Sequence, residues 1–156
     1  KCVIVADAYP KAKHHYLLIP KDAAFKRAAV SDLTKAHLVT LKALHARAKR
    51  FARERCPGVD VRIGYHAVPS MKPLHIHIIS TDMVAPALKT KKHYLSFTTS
   101  FFLEVDAVEG DLEWGSMEIS APVFEAMLKG PLVCHRCRQP QPNMPRLKDH
   151  LTVCTR

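Results

Sequence analysis

Two histidines alternate with apolar residues in Leu74-His75-Ile76-His77-Ile78. A period of two is the period of a β-strand, so both imidazoles project from one face and the apolar side chains from the other. Such a pair on a rigid strand can bind a metal ion or attack phosphorus. A neutral imidazole that donates one ring proton to an acceptor keeps a lone pair on its other nitrogen for attack on a phosphoanhydride. The product is a phosphoramidate, whose P–N bond water can break, so one hard displacement becomes two easier ones. On a strand the acceptor can be a backbone carbonyl. The plain alternative is a strand carrying two structural histidines. A catalytic metal would need a third ligand, but no His-Glu-x-x-His or paired carboxylate follows, and Asp82 is the only acid nearby in sequence.

A second constellation lies near the end of the chain: Cys134-x2-Cys137-x12-His150-x3-Cys154. This is the spacing of a small zinc finger with a cysteine in place of the final histidine. His150 and Cys154 are four residues apart and face one side of a helix. That helix is predicted to start near Pro145, with Leu147 and Leu151 on its inner side. Four ligands leave no open position, so one zinc ion here is structural. His135 is the weaker candidate ligand, because it would strain the Cys-x2-Cys knuckle. Cys2 and Cys56 complete an odd count of five, which argues against a disulfide framework.

The residues around the histidine strand carry a family resemblance. Gly64-Tyr65-His66-Ala67-Val68-Pro69-Ser70-Met71 precedes it and Lys89-Thr90-Lys91-Lys92-His93-Tyr94 follows it. Earlier comes Tyr9-Pro10-Lys11-Ala12-Lys13-His14-His15-Tyr16-Leu17-Leu18-Ile19-Pro20. This set, in this order, resembles the histidine-triad (HIT) superfamily of nucleotide hydrolases and transferases, and most closely its aprataxin branch of DNA 5′-adenylate hydrolases. The resemblance covers nearly the whole chain. One departure stands out: the triad pattern is His-x-His-x-His, and its first position here is Pro73.

The resemblance implies roles residue by residue. His75, the middle position, is the nucleophile, and His77 stabilises charge on the phosphate. Ser70 contacts the same phosphate. His66 and His15 line the site and bind the leaving phosphate or donate a proton. Lys92 stands near the nucleic-acid side, where Lys11 and Lys13 add positive charge and Met71 joins the substrate-binding set. His14, His37, His45 and His93 read as ordinary surface or structural histidines. No catalytic metal is implied.

Several elements must position these groups. Residues 1–7 and 15–19 read as strands separated by a Pro10 turn, and 60–65 reads as a third, before the strand that carries His75 and His77. Ser31 reads as the N-cap of one long helix running to about Arg55, with Leu33, His37, Leu41, Leu44, Ala48 and Phe51 as its apolar stripe. Lys35, Lys42, Arg47, Lys49, Arg50 and Arg53 form its basic face, and Pro57-Gly58 stops it. Residues 96–105 give no clear assignment, 108–118 reads as an acidic loop, and 121–129 as a short helix leading into the finger. The predicted class is α+β: a HIT-like antiparallel sheet with one long helix, plus a small C-terminal zinc finger. The expected division is a catalytic domain over residues 1–129 and a Cys-Cys-His-Cys finger over 130–156. The initial Lys1 reads as the start of a cropped piece with upstream family elements missing.

The formal net charge is +10, and its distribution is uneven. Residues 1–100 carry 18 Lys and Arg against 6 acids, 101–129 one Lys against seven acids, and 130–156 five against one. Basic faces of this kind suit a polyanion. No apolar run approaches the roughly 18–20 residues that span a bilayer. The expectation is a nuclear, monomeric DNA-end repair hydrolase. It would release AMP from adenylated DNA 5′ ends, RNA–DNA junctions among them, through a histidine–AMP intermediate. The alternatives are a hydrolase of free nucleoside phosphoramidates or dinucleoside polyphosphates, and a non-catalytic nucleic-acid-binding module on the same core.

Overall fold

The computed structural model describes residues 1–156. Five strands form one antiparallel sheet: β1 (Cys2–Ala6), β2 (His15–Pro20), β3 (Val61–His66), β4 (Ile76–Ser80) and β5 (Phe102–Glu104). Their order across the sheet is β1-β2-β4-β3-β5. The helices are α1 (Leu38–Arg55), α2 (Lys91–Thr98), α3 (Val105–Glu113), α4 (Ala121–Met127) and α5 (Met144–Val153). The fold is thus α+β, with a five-stranded antiparallel sheet and one long helix.

Register decides which residues share a face, because side chains alternate along each strand. Leu17 and Gly64 both pair with His77, and His15 pairs with Ile79. His66 pairs with Phe102 across β3 and β5. His15, His66 and His77 therefore lie on one face. Leu18, Tyr65, Ile76 and Ile78 lie on the other, where α1 and α3 bury Leu41, Leu44, Ala48, Val105, Val108 and Leu112 against them. A second cluster covers the histidine face: Ile79 and Phe102 from the sheet, Tyr94, Leu95 and Phe97 from α2, and Met144, Leu147 and Leu151 from α5. Gly64 is needed where β5 approaches most closely. A Cβ there would lie 2.3 Å from the Leu103 carbonyl oxygen and 2.7 Å from the Phe102 ring.

Two sequence expectations are corrected and one unassigned stretch is resolved. The long helix does not start at Ser31. Short 3-10 turns occupy Val30–Asp32 and Lys35–His37, and the α-helix begins at Leu38. The cause is local: the Thr34 backbone N–H donates to His37 Nδ1 at 3.0 Å, which fixes a separate turn before the helix. The acidic stretch expected to be a loop is largely α3. Val105, Val108 and Leu112 recur at helical spacing and are buried, while Asp106, Asp111 and Glu113 stay near solvent. The unassigned stretch from 96 resolves into the end of α2, then β5.

Candidate active site and zinc centre

His75 immediately precedes β4, and His77 sits within it. Their rings are 4.9 Å apart and nearly perpendicular. His77 also meets His15 at 5.3 Å and His66 at 4.4 Å between ring centroids. Phe97 of α2 backs the group, with its ring 5.3 Å from His15, 4.5 Å from His66 and 5.1 Å from His77. Four imidazoles from three strands thus converge under one aromatic wall.

Hydrogen bonds set the tautomers. His75 Nδ1 lies 2.9 Å from the Pro73 carbonyl oxygen. A carbonyl only accepts, so Nδ1 carries the proton and Nε2 keeps its lone pair. That acceptor is backbone and exists whatever side chain stands at 73, so a proline in the first triad position leaves it in place. The backbone N–H of Lys11 donates to His15 Nδ1 at 3.1 Å. His15 must then carry its proton on Nε2, which lies 3.0 Å from His77 Nδ1. His77 accepts there, so its own proton is on Nε2. That Nε2–H is buried and has no partner, and His66 Nε2 is in the same condition. A buried donor without an acceptor is costly in the empty site and becomes useful when an anion arrives.

Burial keeps this cluster uncharged. It lowers His66 to about 3, helped by the neighbouring His75 and His15. It lowers His15 to about 4 against the opposing pull of the Asp7 carboxylate. His77 is pushed well below the usual histidine range, again chiefly by burial, with His66 next. At neutral pH all three are neutral imidazoles, and hydrogen bonds fix the donor nitrogens of His15 and His77. The acid beside the cluster is Asp7, not the sequence-adjacent Asp82: Asp7 Oδ2 lies 3.6 Å from His15 Nε2. Asp82 instead accepts from the Lys13 and Val84 backbone N–H groups. The sequence reading missed Asp7. Only the hairpin register, through the Asp7 N–H to His15 carbonyl bond, brings Asp7 next to His15, and no local motif signals it.

The other expected site residues divide. Ser70 and Lys92 join His66 along a cleft of about 560 Å³ beside the cluster. Lys92 is held in the first turn of α2, where Thr90 caps the helix by accepting the His93 N–H. Lys11 contributes through its backbone, while its ammonium turns back to the Tyr9 carbonyl. Met71 is 62% exposed and lines a neighbouring groove with Ser31 and Ile119, which shares Ser70 with the cleft. Lys13 is exposed, and its backbone is tied to Asp82 rather than to the histidines. The basic face of α1 is partly neutralised, because Lys42 pairs with Glu113 at 2.9 Å and Lys49 with Asp106 at 2.5 Å.

Cys134, Cys137, His150 and Cys154 bring their ligand atoms within 4.8 Å of one another. Cys134 Sγ to Cys154 Sγ is 3.9 Å, and Cys137 Sγ to His150 Nε2 is 3.2 Å. A tetrahedral zinc ion with ordinary bond lengths sets such edges at about 3.5–3.8 Å. The four residues fit one structural zinc. His135 points away from them. Its Nε2 donates to the Thr81 carbonyl at 2.7 Å, and its Nδ1 lies 2.9 Å from the Tyr94 hydroxyl. It fastens the finger to β4 and α2 and is not a ligand. Lys148 of α5 adds bonds to the Ala85 and Leu88 carbonyls at 2.8 Å each.

Comparison with known proteins agrees with this architecture. Residues 1–93 match the family described as "Scavenger mRNA decapping enzyme C-term binding", and residues 98–156 match the "C2HE / C2H2 / C2HC zinc-binding finger". The chain is 39% identical to aprataxin of Ciona intestinalis over 97% of its own length and 40% of that protein's. It is 41% identical to aprataxin of Gallus gallus over 97% of its length and 48% of that protein's. It therefore spans less than half of these relatives. Among solved structures, the aprataxin ortholog Hnt3 in complex with DNA superposes with a TM-score of 0.79 at 27% identity, covering 97% of this chain and 81% of that one. The family model over residues 1–93, more than half of the chain, together with aprataxin relatives at about 40% identity over 97% of it, shows that the chain belongs to the histidine-triad-like family that includes the aprataxins, with a zinc finger at its C-terminal end.

Proposed function

We propose that this protein is a DNA-end repair hydrolase that removes 5′-linked AMP from abortive ligation products. The observation that carries the reading is the set of tautomers. His75 offers a free Nε2 lone pair, and His77 offers a buried Nε2–H with no partner beside it. His75 attacks the AMP phosphorus, forming an N–P bond as the bond to the DNA 5′-phosphate oxygen breaks. The leaving group is already an anionic phosphate and needs no strong acid. Water then attacks the phosphoramidate, releasing AMP and restoring neutral His75. His77, with Ser70 at the cleft, stabilises the charge that grows on the phosphoryl oxygens. His66 and His15 serve the leaving phosphate, Lys92 with Lys11 and Lys13 supplies positive charge toward the strand, and Met71 lies on the substrate side. The chemistry belongs to residues 1–129 and a structural zinc to the finger of 130–156, with no catalytic metal. The likeness to Hnt3, solved in complex with DNA, and the net charge of +10 support a DNA substrate over a free nucleotide. Adenylated 5′ ends, including those at RNA–DNA junctions, are the substrates, and the protein acts as a nuclear monomer.

The test compares AMP release from adenylated nicked DNA with hydrolysis of adenosine phosphoramidate at two salt concentrations. With roughly three to five phosphate contacts, log affinity for DNA falls with log salt at a slope near about −3 to −4, and the small substrate shows almost none. Equal efficiency on both substrates with the same flat salt response would favour the free-nucleotide hydrolase.

A further inference from the structure

The cleft beside His66 has a wall that neither the motif nor the mechanism uses. Its inner end is His66, with the unpartnered Nε2, and Ser70. One side is the first turn of α2, carrying Lys92 and His93. The other is the end of α4, carrying Glu125, and the residues just beyond it, with Lys129. Neither Lys92 nor Lys129 joins any of the ion pairs of the protein, in contrast to Lys42 and Lys49 on α1. Burial and the neighbouring Lys11 and Lys92 hold His93 below its usual range, so it enters the cleft as a neutral group. The charged side chains that line the cleft are then two lysines against one glutamate, a balance of one positive charge.

We infer that α4 builds the leaving-group subsite of this enzyme, with Lys129 holding an internal phosphodiester of the departing strand and Glu125 turning away polyphosphates. The inference rests on the reading proposed above. A phosphodiester carries one negative charge and matches the cleft. The polyphosphate chain of a dinucleotide brings several, and each beyond the first faces the carboxylate of Glu125 instead of a free cation. Lys129 is a point charge on a flexible stem, suited to a phosphate whose position varies with the strand. α4 thereby selects polynucleotide over free nucleotide at a distance from the reacting phosphorus.

The experiment measures steady-state kinetics of the full chain with zinc bound. Its substrates are a 5′-adenylated DNA oligonucleotide, diadenosine tetraphosphate and adenosine phosphoramidate. Lys129→Gln should raise KM for the adenylated DNA about five- to tenfold with kcat within about twofold, as expected for one lost charge-assisted contact. The salt slope for DNA should become shallower by about one. Adenosine phosphoramidate, which has no strand to hold, should be unaffected. Glu125→Gln should act in the opposite direction, lowering KM for diadenosine tetraphosphate about threefold, a larger gain than on the singly charged phosphodiester of the DNA substrate. Both side chains are exposed, so both variants keep the fold. A Lys129→Gln enzyme with wild-type KM and salt slope on DNA overturns the inference, as does a Glu125→Gln enzyme without gain on the tetraphosphate. If the wild-type enzyme hydrolyses the small nucleotides but releases no AMP from DNA, the proposed function itself fails and takes the subsite with it.

Discussion

His45 and His77 are both buried, at 1% and 5% exposure, on opposite faces of one sheet, and they are bonded in opposite ways. His45 is satisfied at both nitrogens: Nδ1 lies 2.6 Å from Glu109 Oε1 and Nε2 lies 2.8 Å from the Tyr65 hydroxyl. It ties α1 to α3 and β3. His77 is satisfied only at Nδ1 and keeps a buried donor open. Tyr65 and His66 are adjacent on β3, so the two networks are separated by the thickness of the sheet. The difference teaches where function lies in a histidine-rich fold. A closed network spends its hydrogen bonds on structure, and an open one holds them for a ligand.

The comparison breaks if the two histidines can exchange roles. His77→Ala should lower the turnover number about 100- to 1,000-fold, the cost of one preorganised donor at a developing oxyanion; it strands the His15 Nε2–H but also removes an unpaired buried donor, so the unfolding midpoint should fall less than in His45→Ala. A loss below about threefold would mean that His77 is no more functional than His45. His45→Ala should do the reverse. It strands the Glu109 carboxylate and the Tyr65 hydroxyl, which costs about 2–3 kcal/mol of stability, while folded enzyme keeps its turnover. Chemical denaturation monitored beside activity separates the two outcomes.

A metal-stripped protein sharpens the contrast from the other end of the molecule. Cys137→Ser, or a strong chelator, should release one zinc per chain and loosen residues 130–156. The finger's Leu147 and Leu151 share a cluster with Tyr94 and Phe97, so the loosening should reach α2 and the rings behind His66. Hydrogen exchange should then rise in α2 and stay low in α1 and α3. Uniform protection across α2 would show that the finger is a separate appendage.

The neutrality of the cluster is tested by pH. His15 and His66 are held at about 4 and about 3 in the fold, below the value of 6.5 they regain on unfolding. Between those limits the unfolded chain binds more protons. Stability is therefore full above about pH 6.5 and falls as the pH drops toward 4 and 3, by at most about 1.4 kcal/mol per unit for each histidine. Urea midpoints measured from pH 7.5 to 4.5 should decline. His66→Phe should flatten that decline, and an unchanged slope would show that His66 is not the neutral buried group described.

Much of this was readable in the chain, for physical reasons that differ from place to place. The histidine strand was legible because a period of two needs no partner to be seen, and the zinc ligands because their spacing is local. Asp7 was not, since only the pairing of β1 with β2 brings it to His15. α3 was hidden by Gly110 and by acids dense enough to mimic a solvated loop. The start of α1 turned on one side-chain bond, from the Thr34 N–H to His37. His93 looked like surface and lines the cleft, because α4 folds opposite α2. The basic stripe of α1 was plain in sequence, but its pairing with Asp106 and Glu113 was not.

The most direct test of the account is to find the atom that takes the phosphoryl group. Adenylated DNA labelled at the AMP phosphorus is mixed with excess enzyme, quenched within one turnover at alkaline pH, and the protein digested. Label is expected on Nε2 of His75, with DNA released carrying an intact 5′-phosphate, and no adduct and at least a thousandfold slower AMP release in His75→Ala. AMP appearing without any labelled protein, or a His75→Ala enzyme that keeps a tenth of the wild-type rate, would contradict it.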